Sequence, residues 1–462
     1  YLTTAMEHLQ AGRVDDAFYR SPLTNPFANA SLNERTATGL WIVAMYLGKA
    51  VFPFTLSHSY TFNAIPLTTW LDWKPLVATA LCAALLGFAA WKTPRRDALA
   101  FCIWFFFCTI ALASNLFVYV GGLLGERFLF TPSLGSSLAL AVLAATVLRR
   151  NHVAAMAAIC FVAFGYGARA LPRVGEWQSE EALFKADARS TPESYQAQTE
   201  YAKSLLLQSL QTPDIFEKQA RMREALEALE KARRIDSASD PQLYTIFALC
   251  YAETGDVSSA LRYGKIGFER TLGAELYRAT PGYACYAAKS FAQTALRLSR
   301  SDNPDVASRA AQPIAESISM LRLAVQRDTP VVDADVHMTL ANCYDALSRY
   351  DSAMIFSEKA LGVRSAAKRH KDNYAIITGN YGGALMQEAR YAEAAETFAR
   401  ALRYINDNPR LHWGLGMARQ AEGNYAAAVV SLRAALALDP ASARLKQDLA
   451  QAEKLLSSAQ TP

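Results

Sequence analysis

The chain has 462 residues, of which 52% are hydrophobic and 19% are charged, and its formal net charge at pH 7 is only +5. So weak a positive balance, without a long basic block or interleaved basic and aromatic residues, argues against nucleic-acid binding. The seven cysteines form no CxxC motif or Cys/His cluster, so the sequence predicts no metal site and does not fix the redox compartment.

The mean hydropathy of +0.04 averages two unlike halves. Residues 37–171 have the composition of a membrane domain, whereas the chain beyond residue 185 does not. Residues 1–36 read as a polar and loop segment. Because the chain opens on Tyr1 without an initiator Met or a signal region, the sequence predicts a fragment or a processed form.

The apolar half contains about five hydrophobic segments of spanning length. They lie near residues 37–56, 75–91, 98–114, 128–148 and 152–171. The first contains Lys49 and Pro53, so it is either a membrane span or a re-entrant or interfacial helix. The sequence leaves both readings open.

Basic residues concentrate in two short loops, at residues 92–96 and 149–150. The positive-inside rule places both loops in the cytoplasm, and the two crossings between them are compatible with that assignment. The loop from Ser57 to Trp73, the Glu126-Arg127 segment and everything after Leu171 then share the opposite face. The sequence therefore predicts an integral membrane protein with a periplasmic, lumenal or extracellular second half.

Glu126 and Arg127 are adjacent charges between two apolar runs. A charge in this position avoids a large desolvation cost only if it is paired, faces a wet cavity or lies at the membrane surface. The pair is therefore a candidate site. The alternative is an interfacial ion pair that anchors the helical hairpin.

The second half repeats with a period of 34 residues, which is the tetratricopeptide pattern. Ala394, Phe398 and Ala401 recur as Ala428, Leu432 and Ala435. We predict a linker helix over 172–190 and a repeat solenoid over 191–457 that ends in a cap helix. The fold class is thus all-α, a polytopic membrane helix bundle followed by a solenoid whose concave surface binds a protein or peptide.

Four blocks occur in order along the chain: Asn25-Pro26-Phe27 followed by Arg35, the loop from Tyr60 to Leu67, the segment from Ala113 through Ser133, and Glu176 to Phe184 just before the repeats. Together they resemble the transmembrane and tetratricopeptide-repeat protein O-mannosyltransferases. The resemblance by motif covers about residues 20–185, and the repeats match as a class.

The resemblance implies transfer of a sugar, mannose in the best-known members, from a polyprenyl-phosphate carrier to a protein hydroxyl on the non-cytoplasmic face. It places Glu126, Arg127, Tyr60 and Asn63 at a substrate or lipid-phosphate site. Arg127 suits a phosphate because its guanidinium is planar and permanently charged. The repeats would bind the acceptor or a partner protein.

The chain departs from this family in one respect. The family's acidic catalytic residue, which takes the acceptor proton or binds a divalent metal that does so, lies in an early loop that has no counterpart here. We therefore assign no catalytic residue, and expect that loop, with any metal, to lie upstream of Tyr1 or to be absent. Two hypotheses follow: part of a lipid-linked-sugar glycosyltransferase, or a non-catalytic membrane-anchored scaffold within a protein complex.

Overall fold

The computed structural model describes residues 25–53, 55–58, 60, 62–117, 119, 122–149, 152–236, 240–273, 282–301, 304–327, 333–363 and 366–460. In these residues the regular structure is helical, apart from an isolated antiparallel bridge between Tyr60 and Leu124. The predicted all-α class is confirmed. Most of the polar segment predicted for residues 1–36 precedes residue 25 and lies outside the described residues.

The helices of the amino-terminal part are α1 (Leu32–Val51), α2 (Trp73–Lys92), α3 (Ala98–Ile110), α4 (Phe130–Leu148) and α5 (His152–Glu176). Short 3-10 turns cover Thr93–Arg95, Ala111–Ser114 and Glu126–Leu129. Helix α1 begins at Leu32 because Ser31 and Glu34 form a reciprocal capping box there. It ends just before Pro53, which cannot continue a helix.

Three helices in the described part of the chain are long and apolar enough to cross a membrane: Trp73–Arg95, Glu126–Val147 and Ala155–Glu176. Much of their apolar surface is exposed, as at Phe161 and Phe164, which suits contact with lipid rather than water. The apolar helix Ala98–Ser114 is shorter, and the segment predicted near 37–56 forms α1, which is not one of the three.

The chain continues as α6 (Glu180–Ser190), α7 (Tyr195–Ser209), α8 (Ile215–Ile235), α9 (Pro241–Thr254), α10 (Val257–Gly273), α11 (Tyr283–Ser299), α12 (Pro304–Ser308), α13 (Ala311–Arg327), α14 (Ala334–Ala346), α15 (Tyr350–Gly362), α16 (Lys368–Gln387), α17 (Tyr391–Leu402), α18 (Pro409–Ala421), α19 (Tyr425–Leu438) and α20 (Ala443–Gln460). Helix α5 extends through Pro172 to Glu176, and α6 is separate from it.

The chain divides into two compact units, Tyr1–Asp256 with Gly273–Thr280, and Val257–Leu272 with Pro281–Pro462. In the first unit α7 packs on α8; in the second, α14 packs on α15 and α18 on α19. The small and large residues predicted as repeat core, including Ala394, Phe398, Ala428 and Leu432, are buried. The solenoid fold predicted from the 34-residue period is confirmed.

Candidate functional site

The loop around Tyr60 and the segment that precedes α4 are joined by backbone contacts. The Leu123 N–H donates to the Tyr60 carbonyl oxygen at 3.1 Å, and Tyr60 forms its bridge with Leu124. Tyr60, Leu123 and Leu124 are all buried. This pairing brings Tyr60 beside Glu126, the first residue of the 3-10 turn.

Glu126 accepts two hydrogen bonds from the loop and forms an ion pair with α1. Its Oε1 atom accepts from the Tyr60 hydroxyl at 2.9 Å and from the Ser57 N–H at 2.8 Å. The Lys49 Nζ atom lies 3.6 Å from the same oxygen. Adjacency in the sequence suggests an ion pair between Glu126 and Arg127, but the structure pairs Glu126 with Lys49 instead.

Lys49 and Tyr60 complete this polar cluster. The Lys49 ammonium donates to the Tyr60 hydroxyl at 2.8 Å and to the Thr55 carbonyl oxygen, and only 8% of its side chain is exposed. Burial, and then the Glu126 carboxylate, raise the pKa of Tyr60, so its hydroxyl stays protonated. Each buried polar group thus has a partner, as its desolvation requires.

Arg127 does not join the cluster of Lys49, Tyr60 and Glu126 but lies against apolar side chains. Its guanidinium lies 4.9 Å from the centre of the Phe128 ring and is exposed. It helps to line a cavity of about 290 Å³ together with Thr109, Leu112, Ala113, Phe128, Phe130, Thr131 and Pro132. Within the described residues the guanidinium has no hydrogen-bond or ion-pair partner, which leaves a permanent charge available beside apolar side chains.

Asn63 does not join the cluster around Glu126. Its backbone has a φ of 61°, the left-handed region that Asn tolerates better than most residues. Its side-chain amide donates to the carbonyl oxygen of Glu193 at 3.2 Å, beyond the end of α6. The structure therefore brings Tyr60 and Glu126 together, points Arg127 into a separate cavity and places Asn63 against the start of the repeats.

A second carboxylate, which the sequence analysis did not single out, binds the same loop. Both carboxylate oxygens of Asp187 on α6 lie 3.1 Å from the His58 N–H, which donates to them, and Asp187 is 2% exposed. Arg173 of α5 lies 3.4 Å from Asp187 and 2.5 Å from Glu176. Burial raises the pKa of Asp187, although the His58 N–H and Arg173 oppose this.

Two carboxylates thus hold consecutive backbone amides, Glu126 that of Ser57 and Asp187 that of His58. The rings of Trp177 and Phe184 flank the His58 ring at 6.2 and 6.0 Å. A signal for Lys49 was present in the sequence as a lone charge in an apolar run. No local pattern marks Asp187, because an acidic residue on a mainly polar helix is ordinarily solvated.

The first and third sequence blocks contact each other, and further bonds order the third block. Arg35 donates to the Phe27 carbonyl oxygen at 2.8 Å, and the Phe27 and Tyr119 rings meet edge to face at 6.3 Å. The Asn115 amide donates to the Leu123 carbonyl oxygen at 2.7 Å. The Tyr46 hydroxyl accepts from the Gly125 N–H at 2.9 Å. These bonds hold the segment before Glu126 in place.

Among the described residues, no group of three or more His, Cys, Asp or Glu side chains lies close enough together to hold a metal ion. Glu126 and Asp187 each bind a separate backbone amide rather than converging on one point. The described residues around Glu126 and Asp187 therefore do not provide the ligand set of a metal site.

A family model described as tetratricopeptide repeat matches residues 334–366 and 409–442, which contain α14–α15 and α18–α19. Among solved structures, YrrB, a TPR protein with an unusual peptide-binding site, is 16% identical, with 49% of this chain and 98% of that chain covered and a TM-score of 0.32. The C-terminal part of a TPR repeat-containing protein from Cytophaga hutchinsonii is also 16% identical, with 56% and 88% covered and a TM-score of 0.36.

Curated relatives of the chain are protein O-mannosyl-transferases. TMTC4 of Mus musculus is 29% identical over 173 residues, which are 35% of this chain and 23% of that protein. TMTC2 of Mus musculus is 33% identical over 85 residues, 17% of this chain and 10% of that protein. The predicted resemblance to this family is confirmed. The chain spans about a quarter of the length of the TMTC4 relative it matches, and it is an integral membrane protein with tetratricopeptide repeats.

Proposed function

We propose that the chain is part of a membrane glycosyltransferase that uses a polyprenyl-phosphate sugar as donor, and that Arg127 binds the phosphate of the carrier. The observation that carries this proposal is the environment of Arg127. Its exposed guanidinium has no hydrogen-bond or ion-pair partner among the described residues, and it lines an apolar cavity at the start of the membrane helix α4.

The cavity suits a lipid-linked phosphate for two physical reasons. A guanidinium offers paired N–H donors that match phosphate oxygens, and such charge-assisted bonds are strong where water is scarce. Leu112 is 73% exposed and Phe130 is 85% exposed beside it, which offers apolar surface to an isoprenoid chain. A sugar phosphate without the lipid would gain nothing from these side chains.

The other three predicted site residues support this site in different ways. Glu126 and Tyr60 hold the loop on the neighbouring side of the 3-10 turn, and Asn63 contacts the chain that leads into the repeats. Their polar groups are already hydrogen-bonded within the protein, so we propose that they position the donor site. No residue of this chain is assigned as catalytic.

We further propose that this site and the repeats face the non-cytoplasmic side. The basic residues Lys92, Arg95, Arg96 and Arg149 lie at the ends of α2 and α4 that are remote from Glu126. The contacts of Ser57 with Glu126 and of His58 with Asp187 support a shared face for the loop, the 3-10 turn and α6.

The test measures binding of a polyprenyl-phosphate mannose to the full-length protein in lipid nanodiscs. We expect Arg127→Ala to weaken binding by about tenfold to a hundredfold, since a charge-assisted bond contributes roughly 1.5–3 kcal/mol. Arg127→Lys should retain part of the affinity. The matched control is Arg149→Ala, which removes an exposed arginine just after the opposite end of α4.

The second candidate function is a membrane-anchored scaffold. It is favoured by the polar groups of Lys49, Tyr60 and Glu126, which hydrogen-bond to one another within the protein. A purely structural anchor requires such internal pairing. A scaffold predicts stoichiometric co-purification with protein partners and the same lipid binding in Arg127→Ala and Arg149→Ala. Equal binding by these two variants would overturn the glycosyltransferase proposal.

A further inference from the structure

The second compact unit contains a large apolar groove along α16, α18 and α20. Its volume is about 950 Å³, and its apolar lining includes Ile376, Met386, Trp413, Met417 and Leu445. Ile376, which lines the groove, is 53% exposed. A groove of this size exceeds what one side chain fills and lies at the upper end of the range for ligand pockets. We call it the apolar groove.

Glycines keep the apolar groove open. A Cβ atom added to Gly382 would lie 2.3 Å from Phe398, and one added to Gly416 would lie 2.7 Å from Leu432, so internal packing explains these glycines. Gly379 and Gly383 line the groove, and no atom lies within 4 Å of a Cβ added to either. A Cβ atom at either position therefore lies in open space, and a larger side chain there would extend into the groove.

One wall of the apolar groove is held rigidly. The Trp413 indole N–H donates to Asp448 at 2.7 Å, and the Arg444 guanidinium lies 4.5 Å above the Trp413 ring. These contacts fix the orientation of the ring that an incoming side chain would meet. At the rim, Asp372 and Asp439 balance Arg410 and Arg444, so the apolar groove has no net charge of its own.

A second cavity, of about 380 Å³, adjoins the groove along α16 and carries excess positive charge. It is lined by Arg297, Arg300, Arg369 and a single acid, Asp335. Asp335 is already bound by Arg369 at 2.8 Å and by His370 at 2.7 Å. We call this the arginine cavity. It complements a carboxylate rather than a cation.

The two cavities lie side by side. Asn373 lines the arginine cavity and Ile376 lines the apolar groove, and these residues are within one turn of each other on α16, about 4.5 Å along the axis. An extended chain advances about 3.3 Å per residue, so neighbouring side chains of one segment can reach both cavities. A small solute would occupy only one of them.

We propose that the two cavities together bind an extended segment of another protein that carries an acidic side chain next to a bulky apolar one. The acidic group contacts the arginine cavity, and the apolar group lies on the Gly379–Gly383 face against Trp413. This deepens the proposed function, because it states the chemistry of the acceptor or partner that the repeats present to the membrane site.

The test uses fluorescence anisotropy with the full chain in detergent micelles and three short fluorescein-labelled peptides. One combines Asp-Glu with Phe, one combines Lys-Lys with Phe, and one combines Asp-Glu with Ser. We expect the first to bind most tightly. Gly383→Leu should weaken its binding by at least about tenfold, because leucine fills the groove. Arg300→Glu should remove the preference for the acidic peptide over the basic one.

The matched control is Gly362→Leu, which alters another helical glycine with open space around it but outside the groove. Neither glycine substitution is expected to weaken its helix, since leucine has the higher helix propensity. Equal binding of the three peptides, or wild-type affinity in Gly383→Leu, would overturn the proposal. No lipid donor is present in this assay, so its outcome is independent of the Arg127 test.

Discussion

Glu126 fastens the loop between α1 and α2 to the start of α4. Its carboxylate is the common partner of Lys49, Ser57 and Tyr60. Lys49 is almost fully buried, so its ammonium depends on these oxygens to offset desolvation. Removing one member of the Lys49–Glu126 pair should therefore destabilise the protein more than removing both members together.

We expect Glu126→Gln to lower the free energy of unfolding by about 1–3 kcal/mol, the cost of leaving the buried Lys49 ammonium without its counter-charge. The measurement is the thermal unfolding midpoint of the purified protein in detergent. In the double variant Lys49→Met and Glu126→Gln, the buried charge is removed together with its partner, and most of the lost stability should return. If the double variant loses as much stability as the two single variants lose together, Lys49 and Glu126 do not interact as the structure shows.

At the scale of helices, the α14–α15 pair half-buries the side chain of His337. The ring of His337 stacks on Phe356 with 6.3 Å between the ring centres, and Phe356 stacks in turn on Tyr344 at 5.4 Å. Burial and then the nearby Lys359 lower the pKa of His337, while Asp333 opposes them. Folding therefore favours the neutral ring at this position.

The lowered pKa of His337 determines whether the stability of the fold rises or falls with pH. The stability from the neutral His337 ring is fully present above the unfolded pKa, about 6.5, and is lost as the pH falls through the lower folded value. We expect the unfolding midpoint of the repeats to drop between pH 7.5 and pH 5, and to drop less in His337→Gln. His412→Gln is the control. An unchanged pH slope in His337→Gln would contradict the assignment.

At the scale of the whole molecule, loop charge determines the expected orientation. The positive-inside rule predicts that the basic turn around Arg96 and the repeat loop around Gln211 lie on opposite faces of the membrane. In this proposed orientation the proposed donor site and the repeats share one face, as the proposed transfer of a sugar to secreted or lumenal proteins requires.

Cysteine labelling tests this orientation. In a full-length variant whose native cysteines are replaced by serine or alanine, we introduce either Arg96→Cys or Gln211→Cys, both at exposed positions. A membrane-impermeant maleimide added to sealed vesicles of known orientation should label Gln211→Cys from the non-cytoplasmic face and Arg96→Cys only after permeabilisation. The reverse pattern would place the repeats in the cytoplasm.

Local patterns in the sequence were sufficient for the helices and the repeat core. The 34-residue period placed Ala401 and Ala435 at buried positions, and both are fully buried. Hydropathy likewise located the apolar helices, because burial in a repeat or in lipid depends on side-chain type at a fixed spacing. Helix α1 begins at Leu32, five residues before the apolar segment predicted near 37–56, because a polar capping box rather than hydropathy sets its start.

The sequence by itself therefore determined the fold class, the membrane character, the family resemblance and the candidate charges at Glu126 and Arg127. Only the tertiary structure decided which groups pair. Side chains at adjacent positions point in different directions. Glu126 accordingly pairs with the distant Lys49, and Arg127 turns to an apolar cavity. The bond from His58 to Asp187 joins segments far apart in the chain, and no local pattern encodes such a contact.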